Sequence, residues 1–124
     1  MTIKEAIRKA DRIRSGNSCS EDEKISWLST LDGIIKKEII DTHKGSEAGA
    51  FNGYDKNVDT DTVLIVPEPY SDVYISYILA QIDLHCGELN QYNNSMTLFE
   101  SQYKKFANYW NRTHRSNGIT NFLY

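Results

Sequence analysis

Apolar side chains recur at helical spacing through the C-terminal half of the chain, on both sides of a polar stretch at residues 90–94 (NQYNN). Before that stretch the steps alternate between four and three, at Ile75, Leu79, Ile82, Cys86 and Leu89. After it, similar steps give Met96, Phe99, Tyr103, Phe106 and Trp110. Such spacing places side chains on one face of a helix. The pattern therefore predicts helices at residues 71–89 and 94–113, joined by a turn in which Asn93 or Asn94 caps the second helix and contributes about 1 kcal/mol.

Two further helices are predicted nearer the N-terminus. Thr2 with Glu5, and Ser20 with Glu23, have the spacing of a capping box, which marks a helix start. Apolar residues follow the first pair at helical spacing: Ile3, Ala6, Ile7, Ala10 and Ile13. They follow the second pair in the same way: Ile25, Leu28, Leu31, Ile35 and Ile39. These patterns predict helices at residues 2–14 and 20–43.

Residues 45–61 differ in character, because glycines alternate there with polar side chains. Glycine at this density is not typical of a packed helix, and only Phe51, Tyr54 and Val58 are expected to anchor the segment. A long connection in a small domain is expected to be mobile or to be a contact loop. Residues 62–66 (TVLIV) are β-branched and apolar and are followed by Pro67, which predicts a short extended segment or strand.

Together these patterns predict an all-α domain at residues 1–115, followed by a C-terminal tail at residues 116–124. The domain is expected to be a small bundle of about four helices, with a long Gly-rich loop containing a short extended or β segment between helices 2 and 3. A length of 124 residues with 40% hydrophobic residues fits one domain. The helix at residues 71–89 is apolar on several sides, so we expect it to be central.

Charge and cysteine content narrow the class of protein. A net charge of -3 argues against a protein whose main task is to neutralise phosphate. The N-terminus carries charges where a signal peptide would have an apolar core, and no run approaches the ~18 apolar residues of a membrane span. We therefore expect no membrane contact and a cytosol-like, reducing environment. Cys19 and Cys86 form no disulfide framework, and Cys86 is expected to be a buried thiol on an apolar face.

The sequence contains few candidates for chemistry. His85 and Glu88 are three residues apart with Asp83 nearby, but Asp83 is predicted to face another side, and no second His or Cys motif stands at ligand spacing. A GxSxG motif is absent, and the glycines at residues 45–53 lack the Gly-Lys-Ser/Thr ending of a phosphate loop. We expect no metal, no cofactor and no catalytic residues, and hence no enzyme.

Nucleic-acid binding is the alternative that the residues leave open. Basic residues lie along the last predicted helix and its exit, at Lys104, Lys105, Arg112, His114 and Arg115. Aromatic residues lie among them, at Tyr103, Tyr109 and Trp110. Such a mixture can contact phosphate and stack on bases. An aromatic stripe at helical spacing is, however, more often part of a core, so a small nucleic-acid-binding regulator is the second hypothesis.

Several short motifs in the second half of the chain resemble a known group of proteins. They are residues 67–74 (PEPYSDVY), 77–83 (YILAQID), 87–88 (GE), 92–94 (YNN) and 111–114 (NRTH), together with Phe99, Tyr103 and Phe106. With them the chain resembles small head-tail connector (adaptor, head-completion) proteins of tailed phages and prophages of Gram-positive bacteria. The resemblance covers about residues 62–114, and its motifs carry no chemical mechanism.

The resemblance implies a helical adaptor that docks on the portal protein as one member of a ring, extends the DNA channel and meets the next neck or tail protein. It implies location in the host cytoplasm before assembly and in the virion neck afterwards, with only transient, non-specific contact with DNA. Residues 45–66 are expected to contact the portal or an adjacent subunit, through Phe51, Tyr54 and Val58. Residues 119–124 are expected to contact a neighbouring subunit or a tail protein, through Phe122, Leu123 and Tyr124.

Overall fold

The structure, a computed structural model, describes residues 1–42 and 51–114. Its helices are α1 (Ile3–Ile13), α2 (Glu21–Ile35), which continues as a π-helical segment (Lys36–Ile40), α3 (Asp72–His85) and α4 (Leu89–Thr113). The prediction of a small all-α bundle is confirmed. Two predicted regions, residues 43–50 and the tail from residue 115 onward, lie outside the described residues.

The helices alternate in direction around α3. Arg14 at the end of α1 pairs with Asp83 near the end of α3, so these two helices run the same way. Glu23 at the start of α2 lies 4.0 Å from His85 at the end of α3, so α2 runs the opposite way. A tight turn after α3 also reverses α4, and the result is an up-and-down bundle.

Both predicted capping boxes are present. The hydroxyl groups of Thr2 and Ser20 accept the N–H groups of Glu5 and Glu23, each at 3.1 Å. The glutamate carboxylates accept the N–H groups of Thr2 and Ser20 in return, each at 3.0 Å. These bonds to the charged form lower the pKa of both glutamates. The start signals of α1 and α2 were therefore predicted correctly from sequence alone.

The core forms where the predicted stripes meet. All five predicted apolar positions of the second helix are buried, and four of the five in the first helix are buried. Ile13 is the exception, since 55% of it is exposed at the last residue of α1. The central position of α3 is confirmed, because it contacts the three other helices and buries residues on several sides. The largest of its buried apolar side chains are Val73, Tyr74, Ile78 and Ile82.

The turn between the last two helices was predicted in the wrong place. The helix α3 ends at His85, and Gly87 takes φ +73. The N–H of Glu88 then donates to the carbonyl of Asp83 (2.9 Å) and that of Gly87 to Leu84 (3.1 Å), which is the Schellman pattern. Residues 90–94 lie inside α4 instead of forming the turn. Tertiary packing of α4 along α3 overrides the low helix propensity of asparagine at these positions.

This correction reverses the predicted effect of Asn94. Because Asn94 is exposed inside α4, its replacement by alanine should stabilise the protein by about 0.5 kcal/mol through helix propensity, and no cap is lost. Gly87→Ala should instead cost about 1 kcal/mol, since alanine resists a positive φ. Urea denaturation of both variants tests this. A loss of stability in Asn94→Ala comparable to that in Gly87→Ala would contradict the observed helix start.

The segment expected to be a strand forms a single antiparallel bridge, between Thr2 and Val63. The N–H of Ile3 donates to the carbonyl of Thr62 at 3.0 Å, and the N–H of Leu64 donates to that of Met1 at 2.9 Å. Leu64 and Val66 are buried, whereas Val63 is exposed, so side chains alternate as in a strand. The segment thus holds the start of α1 against the bundle, and no strand is assigned within residues 1–42 and 51–114.

Candidate interaction surfaces

A buried carboxylate on α2 holds the loop segment in place. Asp32 is fully buried, and its Oδ2 accepts the hydroxyl of Tyr54 at 2.6 Å and the N–H of Ile65 at 3.2 Å. Its Oδ1 accepts the hydroxyl of Tyr74 at 2.5 Å. The Tyr74 oxygen in turn accepts the N–H of Val66 at 2.7 Å. One side chain of α2 therefore joins α3 to both halves of the segment at residues 51–66.

Burial dominates the electrostatics of this cluster, which we call the Asp32 cluster (Asp32, Tyr54, Tyr74 and the N–H groups of Ile65 and Val66). Removal from water raises the pKa of the Asp32 carboxyl, although the bonds from the two tyrosines and Ile65 oppose the shift. Burial and the neighbouring carboxyl also raise the pKa of both tyrosines. The hydroxyl groups consequently stay protonated and remain donors. The Asp32 cluster therefore has a structural role. Three donors bind the two oxygens of one carboxyl group and hold the loop segment against α2 and α3.

The three anchor residues predicted in the loop lie against their own subunit. Tyr54 belongs to the Asp32 cluster, and Val58 packs against the buried core. Phe51 meets Tyr54 edge-on at 5.0 Å between ring centroids. These contacts explain why the sequence places apolar residues at these positions. Their predicted contact with the portal or a neighbouring subunit stays a prediction.

Gly53 permits this anchoring, because it takes φ +83 and a Cβ there would lie 2.8 Å from the Ser29 hydroxyl. That hydroxyl accepts the N–H of Tyr54 at 2.9 Å. Gly53→Ala is therefore expected to cost about 2 kcal/mol, through the positive φ and the displaced hydrogen bond. Gly16→Ala is a matched control, since φ is +77 and nothing lies within 4 Å, so only about 1 kcal/mol is expected. Equal losses in thermal denaturation would contradict a steric role for Ser29.

Asp83 and His85, which the sequence offers as candidate metal ligands, have other partners in the structure. Asp83 binds the guanidinium of Arg14 through two bonds, at 2.7 and 3.0 Å, and accepts the Ser95 hydroxyl at 2.9 Å. His85 instead lies against the Trp27 ring, with 5.2 Å between centroids. Among the described residues, no group of three or more His, Cys, Asp or Glu side chains could hold a metal ion.

The two cysteines are free thiols, and one prediction about them was wrong. Cys86 is exposed, whereas its position on the apolar stripe predicted burial. The reason is that α3 ends one residue earlier, so the helical spacing no longer applies at that point. Cys19 is partly buried at the start of α2, and its burial raises the pKa of the thiol.

The basic and aromatic end of α4 has its rings engaged within the subunit. Tyr109 is stacked on Tyr70 at 4.7 Å between centroids, and the Arg112 guanidinium lies 5.9 Å from the Tyr109 ring. Trp110 is stacked on His114 at 3.6 Å. These contacts cover part of each ring within the subunit. Lys104, Lys105 and Arg112 are exposed, and Arg115 lies outside the described residues.

One apolar surface of the bundle is a groove above α3. Helices α2 and α4 pack on different sides of α3 and do not contact each other in the described part of the chain, so a strip of α3 lies open between them. At one end the Tyr103 hydroxyl closes the strip by donating to Glu38 at 3.0 Å. We call this surface the α2–α4 groove; its apolar residues are Trp27, Ile34, Tyr77, Leu84, Leu89, Met96 and Phe99.

Exposure in the α2–α4 groove is high for side chains of this type. Leu89 on α4 is 61% exposed, Leu84 on α3 42% and Ile34 on α2 38%. Tyr77 of α3 lies with its ring 5.2 Å from that of Phe99. Exposed apolar surface is typical of protein interaction sites. The sequence did not predict the groove. Leu89, Met96 and Phe99 belong to apolar stripes that were assigned to the core, and the other groove residues lie outside the predicted stripes.

Comparison with known proteins adds no relative. No protein-family model matches the chain, and no curated protein or solved structure matches it either. None of the helices within the described residues is long and apolar enough to cross a membrane. The predicted contact residues of the tail, Phe122, Leu123 and Tyr124, lie outside the described residues.

Proposed function

We propose that this protein is a structural subunit of a phage or prophage neck, a head-tail adaptor that docks on the portal protein and joins a ring of its own copies. The observation that carries the proposal is the α2–α4 groove, where Ile34, Leu84 and Leu89 are exposed near partly buried aromatic rings. Such a surface suits a subunit whose partners cover it on assembly. The resemblance of residues 62–114 to head-tail connector proteins indicates which assembly this is, and a small helical bundle is consistent with it.

Some of the motifs behind the resemblance line the groove, and others hold α3 in place beneath it. Residues 67–74 lead into α3 and supply Tyr74 to the Asp32 cluster. Residues 77–83 form the middle of α3, and Phe99 and Tyr103 line the groove from α4. In this proposal the motifs build a rigid hairpin that presents the groove, and contacts with neck proteins and passing DNA are made by the assembled ring.

Native mass spectrometry of the chain, alone and mixed with the portal protein encoded in the same genome, tests this function. A complex of many copies that forms only with portal is the expected result. A dimer indifferent to portal, with DNA affinity that falls steeply with salt, would overturn it in favour of the nucleic-acid-binding regulator.

A pair of leucine variants tests whether the groove takes part in assembly. Leu84→Asp places a charge in the groove and should reduce complex formation at least about tenfold, because a buried charge is costly at an interface. Leu98→Asp is the control, since Leu98 is 51% exposed but lies on another side of α4 from Phe99. Equal behaviour of the two variants would show that the groove takes no part in assembly.

A further inference from the structure

The two cysteines of the chain lie at the same end of the bundle. Cys19 stands directly before Ser20, the residue that caps α2. Cys86 directly follows His85, the last residue of α3. These two helices run in opposite directions, so the start of α2 lies beside the end of α3. The contact is direct, because the Glu23 carboxylate lies 4.0 Å from the His85 ring nitrogen. The fold therefore brings together two thiols that are far apart in sequence.

Both cysteines border one small cavity between the α1–α2 turn and the end of α3. The lining of this cavity includes Asn17 from the turn, and Ile82 and Cys86 from the α3 side. The N–H of Cys19 donates to the side-chain oxygen of Asn17 at 3.2 Å, so Cys19 is held beside the same cavity. The two thiols also influence each other, since burial, and after it the charges of Glu23 and Cys86, raise the pKa of the Cys19 thiol.

The backbone at both cysteines has room to adjust. A disulfide requires two Cβ atoms about 4 Å apart. Gly16 and Gly87 belong to the two turns that face each other here, and a Cβ at either glycine would meet nothing within 4 Å. Neither cysteine lies inside a helix. A small approach of the two turns therefore needs no rearrangement within α2 or α3.

We propose that Cys19 and Cys86 are a redox-active thiol pair, which forms a reversible disulfide by exchange with low-molecular-weight disulfides such as oxidised glutathione. In the reducing environment expected for this chain both thiols are free, as they are in the structure. Oxidation joins the start of α2 to the end of α3 and closes a loop of about 70 residues. The inference concerns contacts within one subunit, so it does not depend on the proposed function.

Exposure assigns the order of the exchange. Cys86 is exposed, whereas Cys19 is partly buried and its burial raises the pKa of the thiol. The Cys86 thiolate therefore attacks the small disulfide first, which forms a mixed disulfide and releases one small thiol. The Cys19 thiolate then attacks the Cys86 sulfur, and the second small thiol leaves. The chain loses two hydrogen atoms, and the small disulfide is reduced to two thiols that carry them.

Intact-mass spectrometry after exchange with oxidised glutathione tests the inference. At micromolar protein concentration the expected product is a single chain lighter by two hydrogen atoms, and dithiothreitol should restore the original mass. Cys19→Ser should instead accumulate one glutathione on Cys86, and Cys86→Ser should react at least about tenfold more slowly. An unmodified chain that stays reduced, carries two glutathiones or becomes linked to a second chain would overturn the inference. Equal rates for the two variants would overturn the assigned order of attack.

Comparison with the unfolded chain shows whether the fold itself brings the thiols together. Glutathione buffers of known redox ratio give the effective concentration of one thiol at the other, both in native buffer and in concentrated urea. The native value should be at least about a hundredfold higher. By thermodynamic reciprocity the disulfide then stabilises the fold, so oxidation should raise the melting temperature by about 10 °C.

The double variant Cys19→Ser with Cys86→Ser is the control for this comparison, since its melting temperature should not respond to glutathione. Circular dichroism checks that each serine variant is folded. Equal effective concentrations in buffer and in urea, or an unmodified chain that melts no higher after oxidation, would mean that the fold does not pair the two thiols.

Discussion

Replacing Asp32 by alanine is expected to lower the free energy of unfolding by about 3–5 kcal/mol. The change leaves the buried Tyr74 hydroxyl, the partly exposed Tyr54 hydroxyl and the N–H of Ile65 without their acceptor. Each unpaired buried group costs about 1–3 kcal/mol. Water entering the new space recovers part of this loss. Since small domains are stable by about 5–15 kcal/mol, this variant should be close to unfolding at physiological temperature.

Two milder variants separate hydrogen bonding from packing at the Asp32 cluster. Tyr54→Phe keeps the ring but removes one donor to Asp32. Because Tyr54 is partly exposed, a loss of about 1 kcal/mol is expected. Asp32→Asn preserves shape and can still accept from Tyr54 and Ile65, but its amide faces Tyr74, so about 1–2 kcal/mol is expected. Urea denaturation at neutral pH measures all three. If Asp32→Ala lost no more stability than Tyr54→Phe, Asp32 would not hold the loop segment in place.

The raised pKa of Asp32 also predicts a pH dependence. Between the ordinary aspartate pKa of about 4 and the higher native value, the native state binds more protons than the unfolded state. The favourable contribution of the protonated group is therefore full below the ordinary pKa and is lost as pH rises through the native pKa. The stability difference between the natural chain and Asp32→Asn should shrink on raising pH from acid to neutral. A difference that grows with pH would contradict the burial of Asp32.

Local signals in the sequence were sufficient for the start of two helices and for most of the core. A capping box needs only residues three apart, and both boxes form as their spacing predicts. The stripes at α1 and α2 likewise depend on neighbours within one helix. They fail at Ile13, where a helix end releases the side chain into solvent.

The turn before α4 shows the limit of reading residue types one at a time. A cluster of asparagines predicts a turn at residues 90–94, but the positive φ that ends α3 is adopted by Gly87. The asparagines are helical because Ser95 and Phe99 beside them pack on α3. Ser95 lies off the predicted apolar stripe, so its contact with Asp83 has no periodic signal in the sequence.

Partners that are distant in sequence could not be predicted at all. Asp32 was a polar residue beside an apolar stripe, and nothing local shows that tyrosines 22 and 42 positions later donate to it. The α2–α4 groove was invisible for the same reason. Residues such as Leu84 and Ile34 are exposed because α2 and α4 diverge over α3, which is a property of packing and not of any one helix.

The second large effect is expected from Arg14, whose replacement by alanine should cost about 3–5 kcal/mol. Asp83 is 1% exposed, and Arg14 satisfies both of its carboxylate oxygens across 69 positions of sequence. Without the guanidinium, a buried carboxylate retains only the Ser95 hydroxyl, and an uncompensated buried charge is strongly destabilising. The pair also fixes the end of α1 against α3, so the loss should loosen that end of the bundle first.

Arg12→Ala is the matched control, because Arg12 lies on the same helix with the same charge but is exposed and has no ion-pair partner among the described residues. Its effect on the unfolding of dilute protein should stay within about 0.5 kcal/mol. The double variant Arg14→Ala with Asp83→Asn should regain part of the loss, since the amide carries no charge to leave unpaired. Equal denaturation midpoints for Arg14→Ala and Arg12→Ala would mean that Asp83 does not depend on Arg14, and that α1 is held in the bundle by its apolar face alone.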